Sequence, residues 1–204
     1  MSIFETSIVQ GSPEWLAEKA GRPSSSQFGE IITPGGAPSK QATKYLYALA
    51  GERLIGKKAE SYQNATMLRG SEMEAEARQF YEVVNDVEVK QVGLCFHDEK
   101  KRFCTSPDGL VGEDGLLEIK CPSLPVAVEY LLNGTLPNIY LPQCQGQLFV
   151  SGRKWVDFLS YYPGLKPLIL RVPRDNVFIA KLQRLLDDFC DELDEIERKL
   201  RALQ

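Results

Sequence analysis

Three side chains could do chemistry together: Asp108 in Ser106-Pro107-Asp108-Gly109-Leu110, and Glu118 and Lys120 in Leu117-Glu118-Ile119-Lys120-Cys121. Pro and Gly predict a turn at Asp108. Side chains of a strand alternate, so Glu118 and Lys120 share one face, and Leu117, Ile119 and Cys121 fill the opposite, buried one. Two carboxylates and an amine then converge beside a turn. Magnesium and manganese are hard cations that take one or two carboxylates plus water and substrate phosphate, and Asp108 and Glu118 supply such ligands. A cation held there polarises a phosphoryl oxygen and lowers the pKa of a bound water. Lys120 would orient or deprotonate that water and stabilise transition-state charge, with its own pKa lowered by the neighbouring cation. The competing reading is a solvated strand edge. Glu and Lys within an otherwise buried run weigh against it, because burying charge without a purpose is costly.

The elements that must position these residues follow from periodicity. Ser12-Pro13 opens a short helix over residues 13–20, an N-cap followed by Pro in the first turn. Ser24-Ser25-Ser26 reads as the cap of a second short helix near 25–32, and residues 39–54 as a third helix. A longer helix spans about 64–84, with Met73, Ala77, Phe80 and Val84 as its core stripe. Glu74 and Glu76 flank that stripe, and periodicity does not choose between them. From Val87 to Cys121 the period changes to two, predicting strands near 87–97, 102–105, 109–112 and 115–121, with Gly112-Glu113-Asp114-Gly115 as a hairpin turn. Helices at 125–133 and 138–150, strands at 155–161 and 167–172, and an amphipathic helix over about 175–203 complete the chain. The order predicts an α/β sandwich around a central mixed sheet, with Asp108 and Glu118 on its exposed end. Gln143 and Gln147 read as solvent-facing, Tyr140 as core-edge, and Trp15 and Trp155 as core.

With 204 residues and 43% hydrophobic content, one globular domain over residues 1–204 is expected. No run approaches a membrane span and no basic-then-apolar leader opens the chain, which predicts a cytoplasmic protein of a bacterial or phage-infected cell. Five scattered cysteines with no C-x-x-C pair argue against zinc and a disulfide scaffold, and for reduced, buried thiols. His97 is the single histidine and has no nucleophile motif around it, which disfavours a Ser or Cys hydrolase. The net charge of −4 is concentrated: residues 187–204 hold seven acids and three bases, leaving 21 of each over residues 1–186. A DNA path must therefore be a local patch, and the acidic terminus reads as a solvated helix face.

Asp…Glu-x-Lys resembles the signature of the restriction-endonuclease-like, PD-(D/E)xK nuclease superfamily, which implies that fold's core: a central mixed sheet flanked by helices. Three further segments resemble one family within it, the phage lambda exonuclease or YqaJ-like viral recombinase family. They are Trp15-Leu16-Ala17-Glu18-Lys19-Ala20-Gly21-Arg22-Pro23-Ser24-Ser25-Ser26-Gln27-Phe28-Gly29, Arg69-Gly70-Ser71-Glu72-Met73-Glu74-Ala75-Glu76-Ala77-Arg78, and Tyr140-Leu141-Pro142-Gln143-Cys144-Gln145-Gly146-Gln147-Leu148. With Asp108 and Glu118-x-Lys120, the motifs stand in the family's order over about residues 12–161.

The resemblance implies a processive, magnesium-dependent exonuclease with two metal ions, replaceable by manganese. It would degrade the 5′-ended strand of linear duplex DNA, release 5′-mononucleotides and leave a 3′ overhang for single-strand annealing. A homotrimeric ring and a single-strand annealing protein as partner are implied too. By motif match Glu74 joins Asp108 and Glu118 around the metals, with the Ile119 carbonyl as a further ligand. Gln143 and Tyr140 would position the water, Lys120 or the scissile phosphate. The N-terminal motif, through Lys19, Arg22, Ser24 and Ser26, would hold the 5′-phosphate. The sequence departs from the family there: Lys19 stands where Arg is usual, and Ser24-Ser25-Ser26 where Thr-Ala-Ser is usual. Lysine binds phosphate as a point charge, and Arg22 is the candidate for the missing fork. The rival functions are a structure-specific endonuclease of the same superfamily and a non-catalytic module that binds DNA ends.

Overall fold

The computed structural model describes residues 4–59 and 65–204. In chain order its elements are β1 (Phe4–Glu5), α1 (Pro13–Lys19), a 3-10 turn (Ser25–Glu30), α2 (Ala42–Ile55), α3 (Ala65–Asn85), β2 (Val89–Lys90), β3 (Cys95–Phe96), β4 (Cys104–Thr105), β5 (Gly109–Val111), β6 (Gly115–Lys120), α4 (Leu124–Asn133), a second 3-10 turn (Asn138–Tyr140), α5 (Leu141–Ser151), β7 (Trp155–Ser160), β8 (Leu168–Pro173) and α6 (Asn176–Arg201). The central sheet is mixed, with order β2-β5-β6-β7-β8; β6 and β7 run parallel and the other neighbours antiparallel. The α/β architecture expected from the element order is the one observed.

Strand alternation divides the core into two layers. Leu116 of β6 packs with Phe158, with Cys144 and Leu148 of α5, and with buried residues of α2 and α6. Leu117 and Ile119 pack on the other face against Ala77 and Tyr81 of α3. Glu118, between them, therefore faces α5. It is only 2% exposed, so it is not on an exposed end of the sheet as the sequence suggests. The hairpin of β5 and β6 forms at Gly112–Gly115 as expected, pairing Val111 with Gly115.

Three other expectations change. The run 87–97 is not one strand: β2 joins the central sheet and β3 joins a small sheet with β1 and β4. The break falls at Gly93, where a Cβ would lie 2.1 Å from the Ile8 carbonyl oxygen, and the Gly93 N–H donates to Thr6. The α3 stripe ends on Tyr81, which is buried, whereas Val84 is 56% exposed. Residue 64, the expected first residue of that helix, lies outside the described residues, as do the side chains of 65–71, including Arg69 of the helix motif. The acids of α6 are not all solvated either: Arg53 pairs with Asp194 and Glu197, and Arg102 with Asp191. None of the five cysteines forms a disulfide, and four of them are buried.

Candidate active site

The site lies where β5 and β6 meet α5. Asp108 immediately precedes β5. Its N–H donates to the Leu117 carbonyl, and its Oδ2 accepts the Ile119 N–H at 2.6 Å. These two bonds across the hairpin hold the Asp108 carboxylate against the C-terminal half of β6. Glu118 is reached from three sides: Lys120 and Gln143 donate to Oε1, the latter at 2.5 Å, and Gln147 donates to Oε2. The 5.2 Å approach of Lys120 Nζ to the ring of Tyr140 completes the enclosure. Tyr140, at the start of α5, is itself fixed by Phe158 and by an edge contact with Tyr130.

Burial and like charge push the Asp108 carboxyl well above its ordinary value, Glu118 being the strongest of the repelling groups. Lys120 is also shifted upward. Burial lowers it, and the Glu118 and Asp108 carboxylates more than reverse that. The lowered value expected from the sequence depended on a cation beside the amine; the neighbours it has here are anions.

Glu74 approaches from α3. It is paired with Arg78 at 2.5 Å, and Arg78 Nε donates to the Asp108 carbonyl. Burial raises its pKa, Arg78 opposes that, and Glu118 adds to it. Glu76 is committed elsewhere, accepting from the Tyr161 hydroxyl at 2.6 Å. The structure thus separates two residues that periodicity could not.

The donor set is one of hard oxygens. Two mutually repelling carboxylates, Asp108 and Glu118, fit a divalent cation completed by water, substrate phosphate and backbone oxygen such as Ile119 carbonyl. Among the described residues no three acidic, His or Cys side chains close on one point.

Next to these groups is the N-terminal motif. A cavity of about 170 Å³ is lined by Trp15, Lys19, Ser24, Ser25 and Ser26 together with Asp108, Glu118, Lys120 and Gln143. Trp15 is buried, as expected, and anchors the wall by donating from Nε1 to Ser106 Oγ, while Lys19 Nζ sits 4.3 Å over its ring. Burial lowers the Lys19 amine to about 8. Ser24 caps the 3-10 turn by position, but its side chain makes no capping hydrogen bond; its hydroxyl is 3.2 Å from that of Ser26. Ser25 pairs with Thr105 at 2.6 Å. Arg22 is not brought to the cavity. Its guanidinium donates to the carbonyls of Lys101 and Glu18 and lies over Phe96, so it does not supply the fork that Lys19 lacks.

Periodicity missed the role of α5, and only the resemblance brought Gln143 to the site. Most of this helix is buried, Gln145 and Gln147 included, so these two cannot face water and must find partners. Gln145 accepts the Asp175 N–H and donates to the Pro173 carbonyl. Gln143 and Gln147 are four residues apart, hence on one helix face, and that spacing was the available signal.

A family model described as the YqaJ-like viral recombinase domain matches residues 14–154. The crystal structure of an alkaline exonuclease, LHK-Exo, from Laribacter hongkongensis is similar at 34% identity and a TM-score of 0.85, covering 95% of this chain and all of that one. Its complex with dAMP matches at 35% identity with the same TM-score. A phage related exonuclease from Haemophilus somnus 129PT shares the fold at 16% identity and a TM-score of 0.66, over 90% of this chain and 96% of that one. An uncharacterized protein of Acanthamoeba polyphaga mimivirus is 28% identical over 164 residues; the match takes in 74% of this chain and 29% of the viral protein's length.

Proposed function

Because this chain belongs to the YqaJ-like viral recombinase family, we propose that it is a metal-dependent DNA exonuclease acting on linear duplex ends. The observation that carries the reading is the shared cavity. Lys19 and Ser24–Ser26 line the same small space as Asp108, Glu118, Lys120 and Gln143. With a phosphate-binding group and a hydrolytic group lining one small cavity, the chemistry is confined to the first nucleotide of a 5′-phosphorylated strand. The strand shortens in the 5′→3′ direction, 5′-mononucleotides leave, and a 3′ overhang remains for a single-strand annealing protein. The dAMP bound to the LHK-Exo relative is a nucleoside monophosphate of that kind.

Magnesium, or manganese in its place, supplies Lewis-acid polarisation of the scissile phosphate and a more acidic water when bound by Asp108, Glu118 and the Ile119 carbonyl. The Lys120 ammonium, held between Glu118 and Tyr140, stabilises negative charge growing on the phosphoryl oxygens. Gln143 and Tyr140 fix Lys120 and Glu118 against one another. Glu74, released from Arg78, is the candidate for a further ligand to a second ion. Lys19 with Ser24 and Ser26 binds the terminal phosphate and sets the register of the strand. A homotrimeric ring that threads the duplex is the assembly this reading carries with it.

The test is substitution at the centre. Asp108→Ala and Lys120→Ala abolish mononucleotide release, to below about one part in 10² of wild type, while both variants still bind duplex ends in EDTA. Cleavage surviving both changes removes these residues from the reaction.

A further inference from the structure

Gln147 is a buried polar side chain at the site that the proposed reaction does not use. It is 0% exposed, one helical turn beyond Gln143 on α5. Its Nε2 donates to Glu118 Oε2, while Gln143 and Lys120 both donate to Oε1. A carboxylate has about four acceptor sites, two on each oxygen. Among the described residues Oε1 therefore has both sites taken and Oε2 has one, so the open acceptor site of Glu118 is on Oε2. Gln147 pays for its place: its own Oε1 is buried and accepts no hydrogen bond among the described residues. A position that served packing alone would shed that cost by carrying Leu or Met.

We propose that Gln147 is a positioning residue, which holds Glu118 so that Oε2 alone is presented to the divalent cation. The inference rests on the reading of Asp108 and Glu118 as cation ligands. Gln145 is the internal control. It is almost equally buried on the same helix, but its bonds go to the last residue of β8 and to the Asp175 N–H before α6, and not to Glu118.

The experiment measures Mn²⁺ binding to the full chain without DNA, by loss of the free-ion electron paramagnetic resonance signal, together with thermal unfolding in EDTA. Gln147→Leu is expected to weaken Mn²⁺ binding by about 10–100-fold with no loss of Tm. It should also raise the Mg²⁺ concentration needed for half-maximal cleavage while leaving kcat at saturating Mg²⁺ near wild type. Gln147→Met, unbranched and of similar length, should behave alike. Gln145→Leu should lower Tm and leave the Mn²⁺ affinity of the folded protein unchanged. Wild-type affinity in both Gln147 variants overturns the proposal, as does failure of both to fold, which would make the role structural. A wild-type protein that binds no Mn²⁺ instead removes the cation-ligand reading beneath it.

Discussion

On the function proposed above, selection of the 5′ end would rest on Lys19, which lines the cavity. Burial lowers its amine to about 8, against an ordinary value of 10.5. The folded state thus penalises the charged amine; the penalty is complete below about 8 and is relieved as pH climbs toward 10.5, so this residue's contribution to stability improves with rising pH. Phosphate binding has the opposite sign, because it needs the ammonium. The preference for 5′-phosphorylated over 5′-hydroxyl ends, read as a ratio of KM values, is expected below about pH 8 and fades above it. Lys19→Met should lose the preference at every pH, and Lys19→Arg should keep it into the alkaline range because guanidinium stays charged. A pH-independent preference in the wild type would assign phosphate recognition to other groups. The juxtaposition of Glu118 and Lys120 was legible because a strand has a strict period of two, and that of Asp108 because Pro107 and Gly109 mark the turn beside them. The commitments of Arg22 to the Lys101 and Glu18 carbonyls were not, because the direction of a long side chain depends on what the fold brings beside it.

At the scale of elements, the site depends on how α5 seats against the 3-10 turn at Ser25–Glu30. A Cβ at Gly146 would meet Phe28 Cδ2 at 2.3 Å and Ser25 Cβ at 3.4 Å. Gly146→Ala should therefore push the turn from the helix, at a cost of about 1–3 kcal/mol in denaturant unfolding. Moving Ser24–Ser26 away from Gln143 should raise KM for 5′-phosphorylated ends more than it lowers kcat. A stability loss with KM unchanged would mean that the turn does not contribute to binding. Helix and strand order was readable from periodicity, and so was the Gly112–Gly115 hairpin. The split of 87–97 between two sheets was not, because Gly93 answers to a close approach of the distant Ile8 backbone, which no local pattern records. The same holds for α5, whose polar residues read as a solvated face until packing covers them. Tyr81 was missed for a related reason: its hydroxyl is buried because Asp157, held by Arg171, accepts it at 2.6 Å.

On the scale of the whole molecule, the acidic terminal helix belongs to the body. Leu182, Leu186, Phe189 and Leu193 of α6 are buried in the main core, and its acids meet Arg53 and Arg102. Arg102→Ala should cost less than about 1 kcal/mol, as partly exposed pairs do. Arg53→Ala should cost about 1–3 kcal/mol, because Arg53 also donates to the Gly21 carbonyl at 2.8 Å in the loop that leads to Ser24. Equal losses for the two would make that loop contact unimportant. Among the described residues no helix is long and apolar enough to cross a membrane. With residues 1–186 neutral, the proposed recognition of DNA ends calls for a local site such as the cavity rather than a global field. Digestion of 5′-phosphorylated linear duplex and covalently closed circular DNA side by side in magnesium decides whether cleavage needs a DNA end. Mononucleotides from the linear DNA and an intact circle are expected of an exonuclease; nicking or cutting of the circle would make the protein an endonuclease instead.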